Sequence, residues 1–218
     1  MAVGKITNYA TLKTNVQTYL AYDDIEDMYE TFLGLTEARI RRDIRIREME
    51  AQADVTFNAS SSYTFPSGFL EIIDLYETGS TGRTLEYLPP QKFYSLTVSR
   101  SGTGQPVYYT IIGDEIRVAP LTDSTARTYS LNYFKQFDVL DSATTTTNTL
   151  LTLAPDVYLY GILFEAQPYL VDRAREEEFD ALYRRAIDGL HAADIRARHR
   201  PRGRIHAEGV VSDGAFRI

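Results

Sequence analysis

The chain has three histidines, His191, His199 and His206, and no cysteine. Thiolate nucleophiles, Cys-ligated metal and a disulfide framework are therefore excluded. On a helix, a second metal ligand would stand four residues after His191, and that residue is Ile195. Gly102-Thr103-Gly104 is the nearest approach to a phosphate loop, but it lacks the lysine and precedes a proline and a strand rather than a helix. Asp23, Asp24, Glu26 and Asp27, and again Glu176-Glu177-Glu178, could be imagined as cation sites. Both groups stand where helices are expected to begin, and a helix N-terminus favours negative charge. No GxxxxGK[ST], HExxH or GxSxG pattern is present. No catalytic residue, cofactor site or metal site is expected.

The chemistry that remains is that of guanidinium. Arginine outnumbers lysine 19 to 4, and it is the residue suited to planar, bidentate pairing at interfaces. Two runs stand out. Arg39, Arg41, Arg42, Arg45 and Arg47 fall within nine positions, and their expected partners are Glu37, Asp43, Glu48 and neighbouring subunits. Arg196, Arg198, Arg200, Arg202 and Arg204 recur at every second residue, which suits an extended strand laid along a groove. Ordering a backbone residue costs about 1–2 kcal/mol, while an exposed ion pair returns about 0–1 kcal/mol. Arginines alone cannot order such a tail. It needs a partner groove that also takes apolar groups such as Val210, Val211, Phe216 and Ile218.

The two runs sit on an acidic chain. The net charge is −7 over 218 residues, yet the segment 196–218 carries a surplus of four positive charges, which leaves the first 195 residues at −11. An acidic body disfavours the alternative reading, a nucleic-acid-binding protein using the two arginine segments. With 44% hydrophobic and 24% charged residues, the composition is that of a folded globular chain. No run of 18 apolar residues offers a membrane span. The N-terminus lacks the apolar core of a secretion signal, so a soluble chain made in a cytoplasm is expected.

The elements that must position these groups are legible as periods. Tyr9, Leu12, Val16, Tyr19 and Leu20 predict a helix over Thr7 to Tyr22. Asp23 with Glu26 forms a capping-box pattern for a second helix, along which Ile25, Tyr29, Phe32, Thr36 and Ile40 share a face. Glu37 with Arg41 and Asp43 with Arg47 are acid-first i,i+4 pairs. Beyond Glu50 the period becomes two: Val55/Phe57, Tyr63/Phe65, Ile73/Leu75, Val107/Tyr109/Ile111, Ile116/Val118 and Tyr129/Leu131/Tyr133. Gly113-Asp114 marks a hairpin, and Gln91 to Val98 a short helix. Pro155 opens a helix, Pro168 should kink or end it, and Asp172 can cap the last one. On that last helix Phe179, Leu182, Tyr183, Ala186, Ile187, Leu190 and Asp194 form the cleanest stripe in the chain. The expected fold is α+β: a helical bundle of N- and C-terminal helices (1–50 and 154–198), an inserted small β-sandwich or barrel-like domain (51–153), and an extended C-terminal tail (199–218).

Three stretches, in order, resemble the tailed-bacteriophage head-to-tail adaptor (connector or neck) proteins of short-tailed and related phages. Their helix reading roughly FI-x-LAEARI-x-RDLR-x-REM is matched here by Phe32, Leu33, Leu35, Glu37, Ala38, Arg39, Ile40, Arg42, Asp43, Arg45, Arg47, Glu48 and Met49. Tyr63 to Glu71 is similar to their LP-x-DFLE segment, and Asn148 to Tyr160 to their N-x-LL…PD-x-YLY helix entry. The resemblance covers roughly residues 5–198. It implies a non-enzymatic virion protein at the head–tail neck. Such adaptors form a ring, typically of twelve copies, beneath the portal protein; the ring extends the DNA channel and seats the tail nozzle. It further implies that Arg196, Arg198, Arg200, Arg202, Arg204, Phe216 and Ile218 dock on the portal. Arg39, Arg41, Arg42, Arg45 and Arg47 would then pair between subunits, and phage DNA would pass through the lumen without sequence-specific binding.

Overall fold

The computed structural model describes residues 4–20, 23–57, 62–79, 82–99, 102–122, 127–171 and 173–198. Helix α1 (Tyr9–Leu20) is capped by Asn8, whose side chain accepts the Thr11 N–H at 2.9 Å. Its Tyr9, Leu12, Val16 and Leu20 are buried. A 3-10 helix (Asp23–Met28) leads into α2 (Tyr29–Asp43). The expected capping box is therefore displaced: α2 starts at Tyr29, after Met28, with no side-chain cap. The preceding tight turn takes over that duty, since i→i+3 bonds can serve the N–H groups a cap would. Tyr29, Phe32, Thr36 and Ile40 face inward as their spacing required.

Helix α3 (Pro90–Ser99) is the short helix expected over Gln91 to Val98, one residue longer at each end. Helix α4 (Thr149–Leu153) was not expected. Asn148 caps it by accepting the Leu151 N–H at 2.8 Å, and Leu150 and Leu151 are buried. Helix α5 (Pro155–Leu170) does begin on Pro155. Pro168 neither ends nor precedes a break at once, because it lies in the last turn and the helix runs two residues past it. Helix α6 (Arg173–Arg198) carries the expected stripe, with Phe179, Tyr183, Ile187 and Leu190 buried. Asp172 lies outside the described residues.

Among the described residues, seven strands lie between the helical segments: β1 (Glu50–Phe57), β2 (Ser62–Thr64), β3 (Phe69–Glu77), β4 (Glu86–Tyr87), β5 (Tyr108–Ile112), β6 (Glu115–Ala119) and β7 (Arg127–Lys135). They form two sheets, β1-β7-β3 and β2-β6-β5-β4. The hairpin at Gly113 joins β5 to β6, with Gly113 at φ 58°, a conformation glycine adopts freely. The first sheet contributes Val55, Phe57, Leu75, Tyr129 and Leu131 to a core it shares with Leu85, Ile116 and Val118 of the second sheet's region. This is a small sandwich. Ile73 departs from the expected alternation: two irregularities in the β3–β7 register leave it 44% exposed while Leu75 is buried.

The helices enclose a second core centred on α5, whose Val157, Tyr158, Leu159, Ile162, Leu163 and Ala166 are all buried. Leu140, Leu150 and Leu151 pack in this core too, while Leu70 and Phe134 of the first sheet and Phe137 just beyond β7 lean on it. The chain is thus α+β, with strands inserted between helices that pack together. No helix among the described residues is long and apolar enough to cross a membrane.

Candidate functional site

The arginine run of α2 meets α5, α6 and the first sheet, and its members do different work. Arg39 is enclosed by its own chain. Its guanidinium lies 4.1 Å from the Phe164 ring centre and 4.4 Å from that of Tyr183. It pairs with Asp180, with Asp43 at 3.6 Å and with Glu165 at 3.9 Å. Burial pushes the Glu165 carboxyl up, and the Arg39 charge opposes that shift. Burial, and then the Asp43 charge, push the Tyr183 hydroxyl above its ordinary range; that hydroxyl donates to Asp43 at 3.2 Å. Arg39 is therefore a joint between three helices.

Arg45 closes the C-terminal end of α2, donating to the Arg41 and Ile44 carbonyls at 2.8 and 2.6 Å. It also reaches Glu71 of β3 at 3.4 Å. Arg47 pairs with Glu48 at 3.0 Å, and its backbone N–H donates to Asp194 at 3.1 Å. The Asp43–Arg47 pair expected on the helix is absent, because α2 ends at Asp43, which turns to Arg39 instead. Arg41 is exposed, with a 3.4 Å bond to Gln136. Arg42 is exposed and makes no ion pair among the described residues. Of the five, Arg41 and Arg42 keep the most of their charge available to a partner.

Glu37, expected as an i,i+4 partner of Arg41, does something further. Its carboxylate accepts the Leu140 N–H at 2.8 Å and so ties α2 to the connector leaving β7. Burial pushes it up to about 7, against the Leu140 bond and the Arg41 charge, which hold it down.

At the other arginine run, α6 extends through Arg198, so Arg196 and Arg198 are helical rather than extended. Arg198 pairs with Asp194 at 2.8 Å and with Glu50 at 2.6 Å, which pins the end of α6 to the start of β1. Arg196 donates to the Ala192 carbonyl at 3.1 Å. Both sit in the last turn, where the helix dipole favours cations. Arg200, Arg202, Arg204, Phe216 and Ile218 lie outside the described residues.

Sequence reasoning missed a third feature. Between the α4–α5 junction and α6 runs an open groove of about 410 Å³, lined by Leu153, Leu182, Ala186 and Leu190 together with the charged Asp156 and Arg185. Its members come from elements some 30 residues apart, and no sequence period brings them together. In the sandwich, a hollow of about 440 Å³ offers Arg83 and Tyr108 as its titratable groups, which is no acid–base pair. No group of His, Asp and Glu among the described residues is placed to hold a metal ion.

Comparison with known families gives a match to the one described as SU10 adaptor protein, over residues 7–205. No curated protein matches the chain.

Proposed function

The chain belongs to the SU10 adaptor protein family, a phage head-to-tail adaptor family, and from that premise we propose that it is a virion structural protein that associates with portal and tail proteins at the neck. In this reading copies of the chain form a ring beneath the portal, twelve in number. The ring extends the DNA channel and gives the tail nozzle its platform. The lumen passes DNA without sequence-specific binding. The protein has no catalytic role.

Within the ring, Arg41 and Arg42 face a neighbouring copy, with Arg45 and Arg47 at the edge of that contact and Arg39 holding the helices behind it. The segment from Arg196 onward is the portal-docking element: Arg196 and Arg198 anchor its root on α6 and β1, and Arg200, Arg202, Arg204, Phe216 and Ile218 make the contact. The segments 1–50 and 154–198 supply the ring wall, and 51–153 the inserted unit.

The observation that carries this reading is the family match across nearly the whole chain. The pairing of Arg39, Arg45, Arg47 and Arg198 with acids or carbonyls of their own chain supports it over a nucleic-acid-binding protein, which would need those charges free. A gel-shift titration against salt tests the choice. Weak duplex binding is expected; tight binding with a steep salt slope favours the alternative.

A further inference from the structure

We infer that the outward stripe of α2 in one copy of this chain seats in the α5–α6 groove of the next copy, with Arg42 closing on Asp156. The inference rests on the ring reading above and names the surfaces of its joint.

Helix α5 separates the two faces. Toward α2 it turns Gly161, against Thr36, and Tyr169, whose ring centre lies 6.0 Å from that of Phe32. With 3.6 residues per turn, Asp156 and Tyr160 leave α5 on the opposite side, and there, with Leu153 at the end of α4, they line the groove beside Leu182, Ala186 and Gly189. Ridge and groove thus lie on opposite flanks. They cannot meet within one chain, but they can meet between copies as a heterologous contact, the kind that closes into rings.

The stripe is Thr31, Gly34, Leu35, Ala38 and Arg42. Leu35 is 48% exposed. Glycine in a helix interior costs about 1 kcal/mol, yet a Cβ built on Gly34 meets nothing within 4 Å in its own chain. The same holds for Gly189 on the groove floor. Small residues on both sides let two helices approach to about 8–10 Å.

Charge sets the register. Glu37 and Ile40 lie beside Tyr158 around one small cavity, and α2 runs antiparallel to α5. Arg42, further along α2, therefore stands level with Asp156. With the ring axis taken to run along the helices, rotation about it keeps each residue at its height. Arg42 of one copy thus arrives level with Asp156 of the next. Both are exposed, and neither has an ion-pair partner within 4 Å among the described residues, although the Arg42 charge also acts on Glu165 of its own chain. The same rule brings Ala38 level with Arg185.

Because the chain has no cysteine, crosslinking reads this joint cleanly. The full chain carrying Ala38→Cys and Arg185→Cys together is assembled on purified portal complexes and oxidised. A ladder of disulfide-linked multimers is expected, with no ladder beyond a dimer from either single variant. Arg42→Glu and Asp156→Arg should each lower the assembled fraction about tenfold, and the pair combined should restore most of it; that rescue also shows that the single variants fold. If several copies assemble on each portal while no ladder forms and Arg42→Glu assembles normally, the joint is elsewhere and the ring reading survives. If the wild-type chain adds to the portal as a single copy, both fail.

Discussion

Gly161 of α5 lies so close to Thr36 of α2 that a Cβ at position 161 would stand 2.5 Å from the Thr36 Cγ2 and 3.4 Å from Tyr183 Cε2. Three helices therefore meet at one residue without a side chain. Arg39, one turn along α2 from Thr36, locks the same three helices from the polar side. The close approach of α2 to α5 at Gly161 and the ion pairs of Arg39 are therefore neighbours in the helical layer.

Gly161→Ala is expected to destabilise the chain. Alanine gains about 1 kcal/mol of helix propensity, but forcing α2 outward costs about 1–3 kcal/mol. Adding Thr36→Ala removes the obstructing methyl and should recover part of the loss. Urea denaturation of the four chains of this cycle measures the coupling. A neutral or stabilising Gly161→Ala would show that the two helices can separate freely.

Replacing Arg39 tests the joint itself. Arg39→Ala leaves Asp43, Glu165 and Asp180 facing one another around a hole, and breaking such a part-buried cluster costs about 3–5 kcal/mol. Arg39→Lys keeps the charge but loses the fork and the ring stacking, so it should fall between wild type and Arg39→Ala. Equal stability of all three by thermal unfolding contradicts the role given to Arg39.

The Glu37 carboxyl makes stability depend on pH. Its folded-state value is raised to about 7 from an ordinary 4.5, so the folded chain binds the proton more tightly than the unfolded one. The stabilising contribution is full below about pH 4.5, is lost as pH rises through about 7, and is absent above. Glu37→Gln keeps an oxygen for the Leu140 N–H and cannot titrate. The stability of wild type relative to this variant should fall by about 1–3 kcal/mol between pH 4.5 and 8. Parallel curves for the two chains would rule this out.

Much of the frame was legible in the sequence. The α6 stripe, the Pro155 start of α5 and the Gly113 hairpin each follow from a rule acting over a few residues. What stayed hidden depends on long-range contact or on lengths too short for a period. Helix α4 has five residues, fewer than two turns, and only the Asn148 cap signals it. The irregular β3–β7 register turned Ile73 outward, which no alternation count can foresee. Spacing showed five arginines on and after one helix, but not that Asp180, 141 positions from Arg39 in sequence, would claim that one. The groove at Asp156 and Arg185 was invisible for the same reason.

Leu190 is the last residue of either core among the described residues. A chain ending at Arg198 should therefore fold with an unfolding midpoint near that of the full chain, yet fail to attach to purified portal complexes. Undiminished attachment would show that the docking residues lie elsewhere.

Electron microscopy of the neck of purified virions tests the central claim most directly. The account predicts this fold in a closed ring of twelve copies between portal and tail, around a channel wide enough for duplex DNA. Virions that contain no copy of the chain at the neck would contradict it.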